Sequence, residues 1–387
     1  MKGLQQLINQ LCPNGVEWKT LGEVAKVKRG DRITKKDLIP NGKYPVMSGG
    51  TCFFGRYSKY NRCANTITVA QYGSAGFVSF VTEDFWANDV CYSVFPLDII
   101  VNKYLYYCLV NNQQVLYSLT TKAIPDCLPQ NRLESLQIPL PPLAIQSRIV
   151  EILDHFTNLT ANLTAELAQR RKQFDHYRES LLSFGDEVEW KTLESICTLI
   201  TDGSHSSPKS CKNGYYMPSV KDMRMNGFDF SDCKQISEED YNSLVHIGCK
   251  PKVNDVLIAK YGSMLKYAFH IKEESEIVVL SSIAIIRPII DIIRPDFLAH
   301  YFRRNRFREL VINEFSTKGG VPRIVLKNFK KIKIQIPPLA VQQSIVEQLD
   351  KFTALIQNIE NELALRQKQY EYYREQLLSF PQSARNS

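Results

Sequence analysis

Pro139–Phe184 reads PLPPLAIQSRIVEILDHFTNLTANLTAELAQRRKQFDHYRESLLSF, and Gln335–Phe380 reads QIPPLAVQQSIVEQLDKFTALIQNIENELALRQKQYEYYREQLLSF. The two align without a gap at an offset of 196 residues and are identical at 27 of 46 positions. Chance does not produce that, and a repeat of this length reports the architecture before any local propensity does. A second echo, Val-Glu-Trp-Lys-Thr-Leu, stands at 16–21 and again at 188–193, an offset of 172. The chain is a tandem duplication of one unit, a globular part followed by a repeated part. Between the echoes, about 16–137 and 188–334 resemble each other only faintly, as in Ala-Gln-Tyr-Gly-Ser (70–74) against Ala-Lys-Tyr-Gly-Ser (259–263). Two globular parts that have drifted while their connectors stayed alike do related but different jobs.

Within the first repeat, apolar residues recur at Ile145, Ile149, Ile152, Phe156, Leu159, Leu163, Leu167, Phe174, Tyr177 and Leu181. The second places Val341, Ile345, Leu349, Phe352, Leu355, Ile359, Leu363, Tyr370, Tyr373 and Leu377 along the matching stretch. Steps of three and four make one apolar stripe along a helix, with a stutter at Leu159–Leu163–Leu167. The pairs Pro141-Pro142 and Pro337-Pro338 mark the helix starts, where a missing N–H costs nothing. Each helix spans about 40 residues, roughly 60 Å. Two such stripes bury each other most simply as a coiled coil. A parallel pairing would need the second globular part to carry the chain back that distance, and a domain of its size spans only about 40 Å. The expectation is an antiparallel pair holding two globular domains in a pseudo-twofold arrangement, a mixed α+β fold.

With 387 residues, 44% hydrophobic and 23% charged, the composition is globular and suits two or three domains. No apolar run approaches the roughly 20 residues that span a bilayer, and MKGLQQLINQLCPNG lacks a signal-peptide core. A soluble chain acting in the cytoplasm, without a membrane, is expected. The ten cysteines include no CxxC and no Cys–His pair at zinc spacing. They read as buried structural thiols, as Cys91 and Cys108 in apolar runs suggest.

The net charge of +8 is not spread evenly. Residues 16–137 carry +4 and 188–334 carry +6, while 138–187 and 335–387 come to −2 and −1. Basic globular parts on slightly acidic helices suit a rod-like polyanion, and duplex DNA is the obvious one. Each globular part also has short Gly/Ser/Tyr loops beside basic residues. Gly allows close backbone approach, Lys and Arg meet phosphates, and Gln, Ser, Thr or Arg can read base edges. From these loops and their flanks the candidate DNA contacts are Lys28, Arg29, Arg32, Lys35, Gln71, Tyr72, Ser74 and Lys122 in the first part. In the second they are Ser204, His205, Lys260, Tyr261, Ser263, Lys318 and Arg323. The run FRRNRFRE (302–309) on an expected helix, PDFLAHYFRRNRFRELVINEF, reads instead as a solvated face, and the six histidines are assigned no chemistry.

Catalytic signatures are missing. There is no G-x-x-x-x-G-K-[ST] phosphate loop, no G-x-G-x-x-G opening a helix, and no Asn/Asp-Pro-Pro-Tyr/Phe. Glu17-Trp18-Lys19 and Glu189-Trp190-Lys191 have the E-x-K shape of a nuclease site but lack a preceding Pro-Asp, and they serve better as repeat boundaries. No catalytic residue and no metal site are expected.

The repeated segments carry a specific resemblance. Pro-Pro-Leu-Ala-x-Gln (141–146, 337–342), Ile-Val-Glu-x-Leu-Asp-x-Phe-Thr (149–157, 345–353), Glu-Leu-Ala (166–168, 362–364), Arg-x-Lys-Gln (170–173, 366–369), Tyr-Arg-Glu (177–179, 373–375) and Leu-Leu-Ser-Phe (181–184, 377–380) are one set. With Thr201-Asp202-Gly203-Ser204-His205 they make the chain resemble, over nearly its whole length, the specificity subunit of type I restriction-modification systems. That resemblance implies two target-recognition domains, 1–137 and 188–334, and two long spacer helices, 138–187 and 335–387. Each domain would read one half of a bipartite site on double-stranded DNA, and the helices would set the gap and dock two methyltransferase subunits. S-adenosylmethionine, ATP and Mg would sit only on the methyltransferase and restriction subunits, and this chain would need no cofactor. One departure matters: the first domain is shorter by 24 residues, so the two half-sites should differ. The competing expectation is a non-catalytic coiled-coil adaptor that binds only protein.

Overall fold

The computed structural model describes residues 2–121, 124–317 and 323–383. The chain divides into two compact units, one formed by Met1–Thr164 with Glu362–Ser387 and the other by Ala165–Asn361. Each repeat is a single long helix that begins directly after its Pro-Pro pair: α1 spans Leu143–Leu181 and α2 spans Leu339–Leu378. Both helices pass from one unit to the other.

In the first unit four antiparallel strands, β1 (Ala25–Arg29), β2 (Thr66–Ala70), β3 (Val78–Val81) and β4 (Cys91–Pro96), pair in the order β1-β4-β2-β3. The second unit repeats that order with β5 (Cys197–Asp202), β6 (Val256–Ala259), β7 (Ala268–His270) and β8 (Ile283–Pro288), paired β5-β8-β6-β7. The central strands are buried on both faces, and the period of two sorts their side chains. Val256, Ile258, Ala284 and Ile286 enter one core with the helices, whereas Leu257, Ala259, Ile283 and Ile285 enter a second core on the opposite face. A short antiparallel ladder closes each unit. Glu17–Thr20 pairs with Gln137–Leu140, and Trp190–Thr192 pairs with Lys333–Gln335, so the Val-Glu-Trp-Lys-Thr-Leu echo is the strand that receives the segment leading into each long helix.

The first unit uses both ends of the chain. Helix Lys2–Leu11, not foreseen from the sequence, buries Leu4, and the Val16 amide donates to the Pro381 carbonyl while Ser383 donates back to Val16.

The long helices touch inside each unit, and in the second their contacts run antiparallel. In the first, Phe156 stacks on Tyr373 at 5.3 Å. In the second, Arg171 bonds Glu360 at 2.6 Å, and Tyr177, further along α1, stacks on Phe352, further back on α2, at 5.0 Å. The stripe is not uniformly covered. Ile145, Ile149, Ile345 and Leu349 are sealed against the globular cores, while Leu355 and Tyr177 remain more than a third exposed. Two helices alone cannot wrap a stripe this wide, because an apolar sector of about 100° exceeds a two-stranded seam.

The glutamine of Pro-Pro-Leu-Ala-x-Gln explains its repetition. Gln146 is buried, accepts from the Val101 amide at 2.7 Å and donates to the Pro141 and Ile99 carbonyls. Gln342 does the same with the Arg294 amide at 2.8 Å and the Pro337 and Ile292 carbonyls. One amide side chain thereby ties the start of each long helix to the segment entering the helix that follows the sheet.

Two expectations need correction. Cys91, Cys108 and Cys249 are buried, but Cys52, Cys63 and Cys211 are exposed, so burial does not describe the thiols as a set. The run FRRNRFRE is not one solvated helical face: the helix breaks into Pro295–Phe302 and Asn305–Phe315, and Arg303 and Arg304 at the break are buried. A basic run is solvated only while its backbone continues as a helix on the surface. Here the break turns two guanidinium groups inward.

Candidate nucleic-acid interface

The loops singled out from the sequence converge at one end of each sheet. In the first unit, β1 delivers Lys28 and Arg29 to its C-terminal end, and the chain turns at Gly30. A Cβ there would lie 2.1 Å from the Ala87 carbonyl oxygen, so only glycine passes. The Ser48-Gly49-Gly50 turn packs on the turn after β2, with the Ser74 amide donating to the Gly49 carbonyl at 2.7 Å. Tyr72 bridges to Cys127, which in turn bridges to Thr121. Four segments far apart in sequence thus share one surface.

The second unit builds the same junction. Gly203 follows β5 where a Cβ would meet the Val279 carbonyl oxygen at 1.9 Å. Tyr261, after β6, bridges to Arg323, and the Ile324 amide donates to the Lys260 carbonyl. Thr317 and Arg323 bond each other across the segment between them.

Sheet register makes the two junctions comparable position by position. Arg29 faces Tyr92 as Asp202 faces Ala284, and Gly30 donates to Cys91 as Gly203 donates to Ile283. Arg29 and Asp202 therefore occupy one place, as do Gln71 and Lys260. In the first unit the Arg29 guanidinium, exposed, donates to the Gln71 amide oxygen at 2.5 Å. In the second the ammonium of Lys260 is buried and ion-paired with Asp202. The cation has moved from the strand to the turn and from the surface to the interior.

Several sequence candidates are accordingly revised. Lys260 is held by a carboxylate inside the fold and is not free to neutralise a phosphate. Ser204 is buried and donates to the Ser206 carbonyl within its own turn. Gln71 is buried too, yet it positions Arg29. Lys28, Arg32, Lys35, His205 and Arg323 are exposed, with Tyr72, Ser74, Tyr261 and Ser263 half-exposed around them. His205 sits 3.4 Å from Asp202, and Arg323 lies over the Tyr261 ring at 5.9 Å. The Tyr72 phenol is raised above its ordinary pKa, first by its hydrogen bond with the Cys127 thiol. Lys122 and Lys318 lie outside the described residues.

Sequence reading passed over the long connection between the first two sheet strands. The offset between the copies grows from 172 at the first strand to 189 at Ala-x-Tyr-Gly-Ser, so 17 of the 24 extra residues fall there. In the first unit this connection, with Trp86–Ala87, makes a small sheet and displays Phe53 and Tyr60, both near half exposed. In the second it adds two hairpin-like pairs and the helix Glu238–His246. The unequal offsets were the available signal.

Among the described residues no group of three or more His, Cys, Asp or Glu could hold a metal ion. No helix there is long and apolar enough to cross a membrane.

A duplicated α+β unit with a basic, loop-built junction beside each sheet, carried on paired long helices, defines a modular recognition protein. Its sequence matches the family model described as the type I restriction modification DNA specificity domain twice, over 13–170 and 185–365. It is 32% identical over 406 residues to the Escherichia coli type I restriction enzyme EcoR124I/EcoR124II specificity subunit, covering 95% of each chain. It is 29% identical to the putative type I specificity subunit S.HindORF215P of Haemophilus influenzae, covering 98% of this chain and 100% of that one. In fold it is similar to the crystal structure of the type I restriction-modification S subunit from M. genitalium. There the TM-score is 0.62 at 19% identity, over 94% of this chain and 96% of that one. The chain belongs to the family of type I restriction-modification specificity subunits.

Proposed function

We propose that this chain supplies DNA sequence recognition to a type I restriction-modification complex and does no bond-making itself. Each globular unit reads one half of an asymmetric bipartite site on duplex DNA. The recognition domains correspond to 1–137 and 188–334, and the spacer helices to 138–187 and 335–387. Support comes above all from one observation: two junctions of identical topology carry different side chains at the same places, with Arg29–Gln71 in one and Asp202–Lys260 in the other. A scaffold kept while its polar surface changes is what two readers of different sequences require. The helices set the gap between half-sites and dock two methyltransferase subunits. S-adenosylmethionine, ATP and Mg act on methyltransferase and restriction subunits, and the assembly works in the cytoplasm where its DNA lies.

The test is a domain exchange read by methylome sequencing in cells that supply methyltransferase subunits. Replacing 16–137 with the matching segment of a relative should change one half-site and leave the other. Loss or alteration of both half-sites would overturn modular reading. Absence of any DNA affinity with the other subunits present would favour the protein-only adaptor.

A further inference from the structure

The buried arginines of the broken FRRNRFRE helix are not among the candidate DNA contacts. Arg303 ends the helix Pro295–Phe302 and is only 6% exposed. Its Nε donates to the Ala268 carbonyl at 2.6 Å, and its two terminal nitrogens have no acceptor among the described residues. The nearby carboxylates are committed elsewhere. Asp350 bonds His300 at 3.1 Å, Asp296 takes both prongs of Arg294, Asp175 takes Arg178, and Glu179 takes Arg304. Burial, and then the second buried guanidinium of Arg178, lower the Arg303 pKa to about 10 against the opposing pull of the Asp350 carboxylate.

Arg303 opens on a solvent-open cleft of about 380 Å³, which it lines with His270, His300, Asp296, Asp350 and the exposed Lys272. His300, 3% exposed, leaves Nδ1 without any hydrogen-bond partner. The Arg303 terminal nitrogens are left to solvent in this cleft, where an anion could replace water as their partner. A hydrogen phosphate or phosphate monoester does so. Its oxygens accept from the guanidinium fork and the Lys272 ammonium.

The first unit places different residues at the equivalent positions. By strand and helix register Phe80 stands where His270 does, Val110 where Arg303 does, and Tyr107 where His300 does. There Phe80 packs on Tyr106 at 5.3 Å, and Tyr107 donates to Asp154. Aromatic and aliphatic side chains stand in one copy where ionisable ones line a cleft in the other.

We propose that the second unit holds a binding site for a phosphate-class anion, formed by Arg303, Lys272 and His270, that the first unit lacks. Calorimetric titration of the full chain with inorganic phosphate, and separately with glycerol 3-phosphate, tests it at constant ionic strength against chloride. Saturable one-site binding of either anion is expected. Arg303→Met should weaken it about tenfold or more, the scale of losing charge-assisted hydrogen bonds. His270→Phe, which imports the residue of the first copy and leaves the buried charge untouched, should also abolish it and serves should Arg303→Met not fold. Heats that never saturate for either anion, or an affinity unchanged in the folded variants, would overturn the site.

Discussion

Gln146 and Gln342 show how much one side chain can fasten. Each makes three hydrogen bonds, a buried one to the proline carbonyl at its helix start and two part-buried ones to the segment before the helix that follows its sheet. Alanine at either position leaves a buried amide N–H and carbonyls unpaired, so Gln342→Ala should cost about 1–3 kcal/mol in denaturant unfolding. The neighbouring Gln343→Ala should stay within about 0.5 kcal/mol, as surface changes do. His300 makes a pH prediction. Burial lowers its pKa below the usual 6.5, and burial lowers that of His270 likewise. The unfolded chain therefore binds a proton that the folded chain refuses, and stability present above about pH 6.5 declines as the pH falls below it. Asp350, lowered chiefly by the His300 hydrogen bond, adds a loss only at more acid pH, below the usual carboxylate range. Unfolding free energy should drop between pH 7.5 and 5.5, and His300→Gln should flatten part of that drop. An unchanged slope in the variant would locate the effect elsewhere.

At the level of elements, the repeated segments were legible because a helix of 39 or 40 residues writes its period plainly. The Pro-Pro starts, the helical continuity and the antiparallel direction all follow from spacing and length. Less legible was how the stripe divides: Ile149 and Leu349 serve globular cores, while Phe156 and Phe352 serve the partner helix. If the helices set the gap between half-sites, removing matching seven-residue segments from both, two turns or about 10 Å, should change the tolerated spacing. The half-sites should stay as they were. Methylome sequencing reads both, and altered half-sites at constant spacing would refute the ruler.

For the whole molecule, charge is the property that DNA would report. The excess sits in the two globular segments, +4 and +6, so binding in the complex should fall steeply with salt. Arg32→Ala, at an exposed position beside the first junction, should lower the slope of log affinity against log salt by about one if Arg32 meets a phosphate. An unaltered slope removes it from the interface. Lys260→Ala should instead act through stability, since its ammonium is buried with Asp202.

The duplication, the two helices, the family and the divergence of the globular parts were all determined by the chain's own text, because repeats and period survive without knowledge of contacts. The junctions were half-visible: the glycines and tyrosines marked the turns, but not which cations stay outside. Only tertiary structure decided that Arg29 faces solvent while Lys260 does not, that Arg303 turns inward at a helix break, and that one copy lines a cleft with ionisable groups where the other places aromatic rings. Whether a charge is paired, buried or free depends on which distant strand lies opposite, and that information exists only once the sheet has closed.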